Sequence, residues 1–266
     1  MSLAALQTLK DAELRRALAE YLLAIADDEL ILGHRHSEWT GFAPDIESDV
    51  ALSSIAQEEI GHARLFYERV AELAGGDPDT LAYGRGPEQF RNAVLTEHPN
   101  GDWGYSIVRL FLYDRADAVR LETLASGSAA PLADLAKALR REEKYHLMYG
   151  EQWLRRLAGA TPQSRARMQE VLGRAWPEAV AIFEPVAGQE TLHTAHVVPL
   201  DAAAQLAQWQ DRVVPVLESV ALQVPTAVGA KVQGGGGGRG GQHSEDLGIL
   251  LDEMTSVRRS EPGAKW

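Results

Sequence analysis

Two copies of the pattern Glu-x-x-His constrain the fold of this chain more than any other feature of its sequence. The copies are Glu59 with His62 and Glu143 with His146. Around each copy, apolar residues recur at the spacing of one helix face, so both ionisable pairs interrupt stripes that would otherwise be apolar. The stripes are Leu52, Ile55, Phe66 and Leu73 around the first copy, and Leu132, Ala136, Leu139, Gly150, Trp153 and Leu157 around the second. Both pairs are therefore predicted to point into a helical core.

Helical periodicity dominates the rest of the chain and predicts an all-α fold. Glycine and proline signals divide the first part into four long helices, predicted at residues 11–37, 45–73, 102–125 and 131–157. Residues 77–101 contain only one short predicted helix, at 88–95, and form a long crossover between the second and third long helices. Two helix hairpins joined by one long crossover are the arrangement of a ferritin-like four-helix bundle.

Additional helices are predicted C-terminal to this bundle, at residues 163–183, at 201–222 and after His243. Residues 233–243, QGGGGGRGGQH, are interpreted as a flexible linker, because they lack the flanking strand and the Lys-Ser or Lys-Thr pair of a phosphate loop. We therefore expect a bundle with accessory helices at 1–232, a glycine-rich linker at 233–243, and a terminal helix and tail at 244–266 that belong to the same domain.

Each of the other two bundle helices has one acid on its inward stripe, Glu29 on the first and Asp114 on the third. Asp114 and Glu143 each lie about 14 residues, or roughly 21 Å, from the turn between their helices, so they are predicted to be level. The corresponding offsets of Glu29 and Glu59 differ by about five residues, which leaves their match in height open.

Four carboxylates and two imidazoles in an apolar core would be very unfavourable as bare ions, at several kcal/mol for each buried charge. One carboxylate on each of two helices and Glu-x-x-His on each of the other two is the ligand set of di-iron and di-manganese carboxylate bundles. Two Fe or Mn ions are therefore predicted, although this ligation also fits Zn. The alternative is a metal-free polar core with some carboxylates protonated. The predicted ligands are Glu29, Glu59, His62, Asp114, Glu143 and His146.

Several polar neighbours are expected to have other roles. Glu58 and Glu142 point off the stripes and are predicted to be surface groups or partners of the ligands. His34 and His36 are interpreted as a solvated helix end. Residues 193–196, HTAH, have the spacing of a metal-binding pair, but a solvated connection is the favoured interpretation.

Charge and composition exclude several classes of function. The net charge of −12 argues against nucleic acid and anionic membrane surfaces as partners, because both require a positive surface. No run of about 18 apolar residues occurs, so no membrane span is expected. The chain has no cysteine, which removes thiolate metal sites and cysteine nucleophiles. We expect a soluble cytoplasmic protein.

Several segments beyond the two Glu-x-x-His pairs match a known family. They are DDELILGHRHSEWTGFAPDIESDVALSSIAQEEIGHARLFYERVAELAG, DTLAY, LTEHPNGDW, LFLYDRADAVRL, EEKYHLMYGEQWLRRL and PGAKW. On these segments, which leave out little beyond the glycine-rich stretch, the chain resembles the C-type subunits of the ring 1,2-phenylacetyl-CoA epoxidases.

The resemblance implies a ferritin-like fold and a place in a complex that adds one oxygen atom of dioxygen to the aromatic ring of phenylacetyl-CoA during aerobic phenylacetate catabolism. It implies a catalytic A-type subunit with a di-iron site as partner, and a separate NADPH-dependent reductase that supplies electrons. C-type subunits are described as structural and have an eroded ligand set, whereas the six predicted ligands match the A-type positions one for one. EWTGFAP, HPNGDW and PGAKW still favour the C type.

Three functions follow from these observations. The chain is expected to be a structural partner of the catalytic subunit, with or without a retained di-metal site. As an alternative, it is itself a di-iron carboxylate oxygenase, with Glu59 and Glu143 as the first candidates for bridging ligands. The third possibility is a ferritin-like metal store.

Overall fold

The computed structural model describes residues 11–225, 237–261 and 264, and in these residues all regular elements are helices. The α-helices are α1 (Ala12–Ser37), α2 (Ile46–Ala74), α3 (Pro78–Tyr83), α4 (Val94–Glu97), α5 (Trp103–Ala125), α6 (Ala130–Ala160), α7 (Pro162–Ala181), α8 (Gln189–Thr194), α9 (Ala202–Ser219), α10 (Glu245–Met254) and α11 (Ser256–Ser260). Short 3-10 helices lie at Pro87–Gln89 and Gly238–Gly240. The predicted all-α fold, a ferritin-like bundle with additional C-terminal helices, is confirmed.

Local sequence signals set the ends of the bundle helices. Asp11, Asp45 and Asp102 precede α1, α2 and α5, and each side chain accepts a hydrogen bond from a backbone N–H in the first turn. These bonds satisfy donors that a helix start leaves without partners. Gly75 ends α2 with a φ of +82°, which glycine adopts without a steric penalty. The long helices therefore begin and end within a few residues of the predicted positions.

The bundle consists of the hairpins α1–α2 and α5–α6. Arg15 at the start of α1 donates to the carbonyl of Leu73 at the end of α2, while His36 at the end of α1 contacts Glu59, so these two helices are antiparallel. The helices α7 and α9 pack against α5 and extend the bundle on one side.

Buried apolar residues form two clusters, and both Glu-x-x-His pairs lie where one cluster gives way to the other. On α2, Leu52 and Ile55 belong to the first cluster and Ala63 and Phe66 to the second, and the first pair falls between them. On α6, the second pair falls between Leu139 of the second cluster and Tyr149 of the first. Together with the buried acids of α1 and α5, these pairs form a polar band in the core.

The crossover contains less helix than predicted. In place of one helix at 88–95, the chain forms the 3-10 turn Pro87–Gln89 and the single-turn helix α4. Buried carboxylates of α1 explain the difference, since Asp27 accepts from the N–H of Arg91 at 2.7 Å and Asp28 from the N–H of Ala93 at 2.7 Å. Bonds from these N–H groups to side chains replace the bonds that a helix would make.

The glycine-rich stretch is packed wherever the structure describes it. Residues 233–236 lie outside the described residues, but Arg239 is buried and donates to Asp28. His243 contacts Glu97 at 3.0 Å and the carbonyl of Phe90 at 3.1 Å. The interpretation as a flexible linker is therefore wrong for residues 237–243, because their side chains form buried polar contacts with the bundle. Within the described chain, every helix is too short or too polar to cross a bilayer.

Candidate metal centre

The polar band contains all six predicted ligands, and each is almost completely removed from solvent. Glu29 lies on α1, Asp114 on α5, and the two Glu-x-x-His pairs on α2 and α6. None of the six is more than 3% exposed: Glu29, Glu59, His62, Asp114, Glu143 and His146. Burial of so many ionisable groups is unfavourable unless charges are balanced within the band.

A glycine brings α1 and α2 close together next to the band. Gly33 lies one turn after Glu29, and a Cβ at this position would lie 2.8 Å from Ile60 Cγ1 and 3.3 Å from Glu59 Cβ. Because only glycine lacks that atom, the close approach of the two helices depends on this residue.

Glu29, His62 and Glu143 form the centre of the band. His62 Nδ1 lies 3.3 Å from Glu143 Oε1 and 3.6 Å from Glu29 Oε2. His146 Nδ1 lies 3.3 Å from the same Glu143 oxygen. Within the described ranges, Glu29, His62 and Glu143 are the one set of three potential metal donors whose atoms all lie within 4.8 Å of one another. Three helices thus direct donors at one point.

Several carboxylate oxygens in this band have no hydrogen-bond partner. Both oxygens of Asp114 and Oε2 of Glu29 are buried without one. Buried polar atoms are nearly always hydrogen-bonded in folded proteins, so unsatisfied oxygens on converging side chains fit a site that binds a cation or a proton.

The outer nitrogen, Nε2, of each histidine contacts a glutamate on the other helix of the pair α2 and α6. His62 on α2 contacts Glu142 on α6, with 2.9 Å between Nε2 and Oε2. His146 on α6 contacts Glu58 on α2, with 2.8 Å between the corresponding atoms. The prediction that these glutamates lie off the stripes as surface groups or partners of the ligands is consistent with this arrangement. A carboxylate on the outer nitrogen orients a histidine whose inner nitrogen binds metal.

His36 is not at a solvated helix end, and that interpretation is wrong. It is 1% exposed, and its Nδ1 lies 2.8 Å from Glu59 Oε2. Burial lowers its pKa well below the usual value, so the ring is neutral at pH 7. The buried end of α1 therefore supplies a neutral imidazole to Glu59. The stretch 193–196 lies at and just after the end of α8, and His196 is exposed there.

Tyr113 supports Glu29 from the other side of the band. Its hydroxyl donates to Glu29 Oε1 at 2.7 Å and accepts from Arg120 at 2.9 Å. Arg120 also donates to Asp117 at 3.0 Å and to Asp28. The sequence patterns did not identify Asp117 or Asp28 as part of this site. The acidic run at 27–29 inside a buried helix was the signal that could have identified Asp28.

In the absence of metal, protons balance the charges. Burial, followed by the neighbouring Glu29 carboxylate, raises the pKa of Glu59 well above its usual value, and burial does the same for the pKa of Asp114. Burial alone would lower the pKa of His62, but Glu143 and Glu29 raise it to about 12.

His146 and Glu143 form the other part of this balance. Burial opposes a charge on His146, but Glu143 raises its pKa to about 11. Burial would raise the pKa of Glu143, but His146 and then His62 lower it to about 2. The same atoms fit divalent metal, because cations at the centre would replace these protons and satisfy the unpaired oxygens.

Comparison with known proteins gives one matching family and one similar protein of the same kind. The sequence model of one family, described as "Phenylacetic acid catabolic protein", matches residues 1–266. The chain is also 33% identical over 250 residues to the C-type subunit of the 1,2-phenylacetyl-CoA epoxidase of Escherichia coli (strain K12). That alignment covers 94% of this chain and 99% of the bacterial protein.

Proposed function

The chain belongs to the phenylacetic acid catabolic protein family, and from that premise we propose that it is the C-type subunit of a phenylacetyl-CoA 1,2-epoxidase. The observation that carries this proposal is the identity of 33% to the C-type subunit of the Escherichia coli enzyme along 94% of this chain. The proposed partner is a catalytic A-type subunit, with a reductase acting on the complex and phenylacetyl-CoA as its substrate. The proposed location is the cytoplasm.

An exposed apolar face supports the proposal of a partner subunit. Phe42, Ile46 and Val50, near the start of α2, are 78%, 72% and 64% exposed. The spacing of four residues places Ile46 and Val50 on one face of α2, and grouped apolar side chains on a protein surface often mark an interaction site. Tyr145 and Met148 on α6 are also 41% and 50% exposed. A partner subunit with an apolar surface would cover these side chains.

The proposal includes a retained metal centre. Two Fe or Mn ions would be held by Glu29, Glu59, His62, Asp114, Glu143 and His146. Bound in this way, redox-active metal ions would supply one-electron chemistry toward dioxygen. The chain's own residues would keep water away from the centre and orient the donors. Glu142 and Glu58 would hold the outer nitrogens of the histidines, while Tyr113 would hold one oxygen of Glu29.

A second candidate function is oxygenation catalysed by this chain itself. The unpaired oxygens of Asp114 and Glu29 favour it, because a purely structural protein has no need of unsatisfied acceptors in its core. In that case Glu59 and Glu143 would be the first candidates for ligands shared by the two ions.

Co-purification tests the proposed place in the epoxidase. The chain is expressed with an A-type subunit that carries an affinity tag, and a stable complex is expected. Ile46→Lys should weaken the complex, because it places a charge in the exposed apolar face. Ile249→Lys is the matched control, since Ile249 is 65% exposed on α10, which packs against α4, α11 and the 3-10 helix Pro87–Gln89. A wild-type chain that does not co-purify would contradict the proposal.

Elemental analysis tests the metal centre. After anaerobic loading with ferrous iron, about two ions per chain are expected in the wild type, as in other bundles with this ligand set. The Glu59→Ala, Glu143→Ala double variant should lose this metal. The corresponding double glutamine variant preserves side-chain volume and controls for loss of packing. Equal metal in wild type and both variants would remove the centre from the proposal and leave the place in the epoxidase intact.

A further inference from the structure

Arg239 belongs to the glycine-rich segment, yet its side chain ends inside the bundle, where it is 2% exposed. Two parallel hydrogen bonds join its guanidinium to Asp28 on α1, with distances of 2.9 and 2.8 Å. It also donates to the carbonyls of Arg91 at 2.7 Å and Ile182 at 2.9 Å. A guanidinium with this many partners is fixed in position, since its planar donors match a carboxylate in two-bond geometry.

The glycines next to Arg239 allow its backbone to reach the bundle. A Cβ on Gly238 would overlap the carbonyl oxygen of Asn92, so no other residue fits at that position. Gly241 has a φ of +81°, in the left-handed region that glycine adopts freely. Gly237 donates its N–H to Glu184 at 3.1 Å. The segment therefore binds to the crossover and to the end of α7 at a defined place.

A series of buried hydrogen bonds leads from Arg239 to the candidate metal centre. Asp28 accepts from both Arg239 and Arg120. Arg120 donates to the Tyr113 hydroxyl at 2.9 Å, and this hydroxyl donates to Glu29 Oε1 at 2.7 Å. Every side chain in the series is buried. The position of Glu29 thus depends on contacts that begin in the C-terminal part of the sequence.

The charges in this series show how the loss of Arg239 would affect Glu29, at the other end of the series. Two acids, Asp28 and Asp117, face two arginines, Arg120 and Arg239. Arg239 and Arg120 both contact Oδ2 of Asp28. Without Arg239, Arg120 would be the remaining arginine at this carboxylate and would shift to bond it more fully, because a buried carboxylate requires its countercharge. Arg120 would then lose its geometry with Tyr113.

We propose that Arg239 is a positioning residue for the candidate metal centre, acting through Asp28, Arg120 and Tyr113 to hold Glu29 in place. This inference rests on the proposed metal centre and extends it to a segment remote in sequence. Docking of residues 237–243 completes the support of the centre, so metal affinity depends on that segment as well as on the ligands.

Titration with Co²⁺ tests the inference, with binding followed by visible absorption of the metal. Arg239→Gln is expected to raise the Kd about 10-fold, the usual effect of removing support behind a metal ligand. Arg85→Gln is the matched control. The side chain of Arg85 is 9% exposed and pairs with Asp27, the neighbour of Asp28, but its contacts do not lead to Glu29. Its Kd should stay within about twofold of the wild type.

A double-mutant cycle distinguishes positioning from general loosening. Tyr113→Phe removes the last link, so its effect on the Kd and that of Arg239→Gln should not multiply in the double variant. If Arg239→Gln does not fold, Arg239→Lys is measured in its place, since lysine keeps the charge but loses the parallel pair. Thermal unfolding establishes that each variant is folded.

The outcomes distinguish a failure of this inference from a failure of the proposed metal centre. A wild type that binds no Co²⁺ would remove the metal centre and this inference together. A wild type that binds Co²⁺ while Arg239→Gln binds it equally well would overturn the role of Arg239 alone. Equal weakening by Arg239→Gln and Arg85→Gln, or multiplying effects in the cycle, would also overturn it.

Discussion

The Nδ1 atom of His36 lies 2.8 Å from Oε2 of Glu59, and both side chains are buried. This contact joins the end of α1 to the middle of α2. Because the ring is neutral, a single hydrogen bond joins Nδ1 to Glu59 and fixes one carboxyl oxygen, whichever of the two groups carries the proton. Replacement by glutamine, His36→Gln, is expected to raise the Kd for Co²⁺ about 10-fold.

His98→Gln provides the control for this prediction. His98 also contacts a glutamate, Glu178, at 3.0 Å, but neither residue belongs to the polar band or to the segment 237–243. Both variants should lower the free energy of unfolding, His36→Gln by about 1–3 kcal/mol because it disturbs a buried hydrogen bond. Only His36→Gln should change the Kd, and an equal change in both variants would contradict the prediction.

The close approach of α1 and α2 at Gly33 makes a second prediction. Gly33→Ala places a methyl group 2.8 Å from Ile60 Cγ1, so we expect the variant to lose about 1–3 kcal/mol of unfolding free energy. The helices should separate next to Glu59, and iron content should fall. Gly61→Ala on α2 has open space around its Cβ and should gain up to about 1 kcal/mol. Chemical denaturation and elemental analysis measure both effects, and similar stability of the two variants would argue against the close contact.

A third prediction concerns Glu142 and Glu58, the glutamates that contact Nε2 of His62 and of His146. Glu142→Ala should weaken metal binding about 10-fold, because His62 loses the carboxylate that orients its ring. Glu58→Ala should have an effect of similar size through His146. Both glutamates are partly exposed, so the fold should be little affected. Glu68→Ala, which removes a surface partner of Arg64, serves as control, and metal titration is the measurement. A normal Kd in both variants would mean that the histidines keep their orientation without these acids.

A fourth prediction concerns His98, which joins α7 to α10. Its ring lies 3.0 Å from Glu178 and 2.8 Å from Asp246. The hydrogen bond with Glu178 is the largest influence on the pKa of His98, and it raises this pKa. Burial opposes the rise, but the hydrogen bond with Asp246 adds to it, and the pKa reaches about 9. Since the folded pKa exceeds the unfolded value, this stabilisation is complete below about pH 6.5 and is lost as the pH rises through about 9.

Hydrogen exchange of α10 at several pH values measures this effect. Protection should fall between about pH 6.5 and pH 9.5, by about 2 kcal/mol at most, because the groups are partly exposed. His98→Gln should be less protected at low pH and should show a flatter profile. A wild-type profile as flat as that of the variant would exclude this role for His98.

Periodicity was sufficient to predict the bundle and the inward direction of both Glu-x-x-His pairs. A helix that packs on one side repeats its apolar residues every three or four positions, and an acid within that repeat must face the core. The same argument placed Glu29 and Asp114 on inward stripes. It works because each helix is long and makes one continuous contact with the rest of the bundle.

The partners of His36 and Arg239 could not be predicted in this way. Each depends on a segment distant in sequence: the crossover and α2 surround the end of α1, and the glycine-rich segment binds across that crossover. Composition alone favoured a flexible linker, because glycine both frees a chain in solvent and lets it approach another backbone closely. Contacts in the folded chain, such as that of Gly238 with Asn92, distinguish the two cases.

The pairing of Asp28 with Arg239 also has a consequence for biosynthesis. The two residues are 211 positions apart, so the ribosome has made all four bundle helices before it adds this arginine. A bundle that forms before this point in synthesis therefore holds a buried aspartate with one of its two arginines missing. A chain that stalls before residue 239 would carry every proposed ligand but lack the last support of Glu29. The order of translation would thus delay full metal affinity until the chain has been completed.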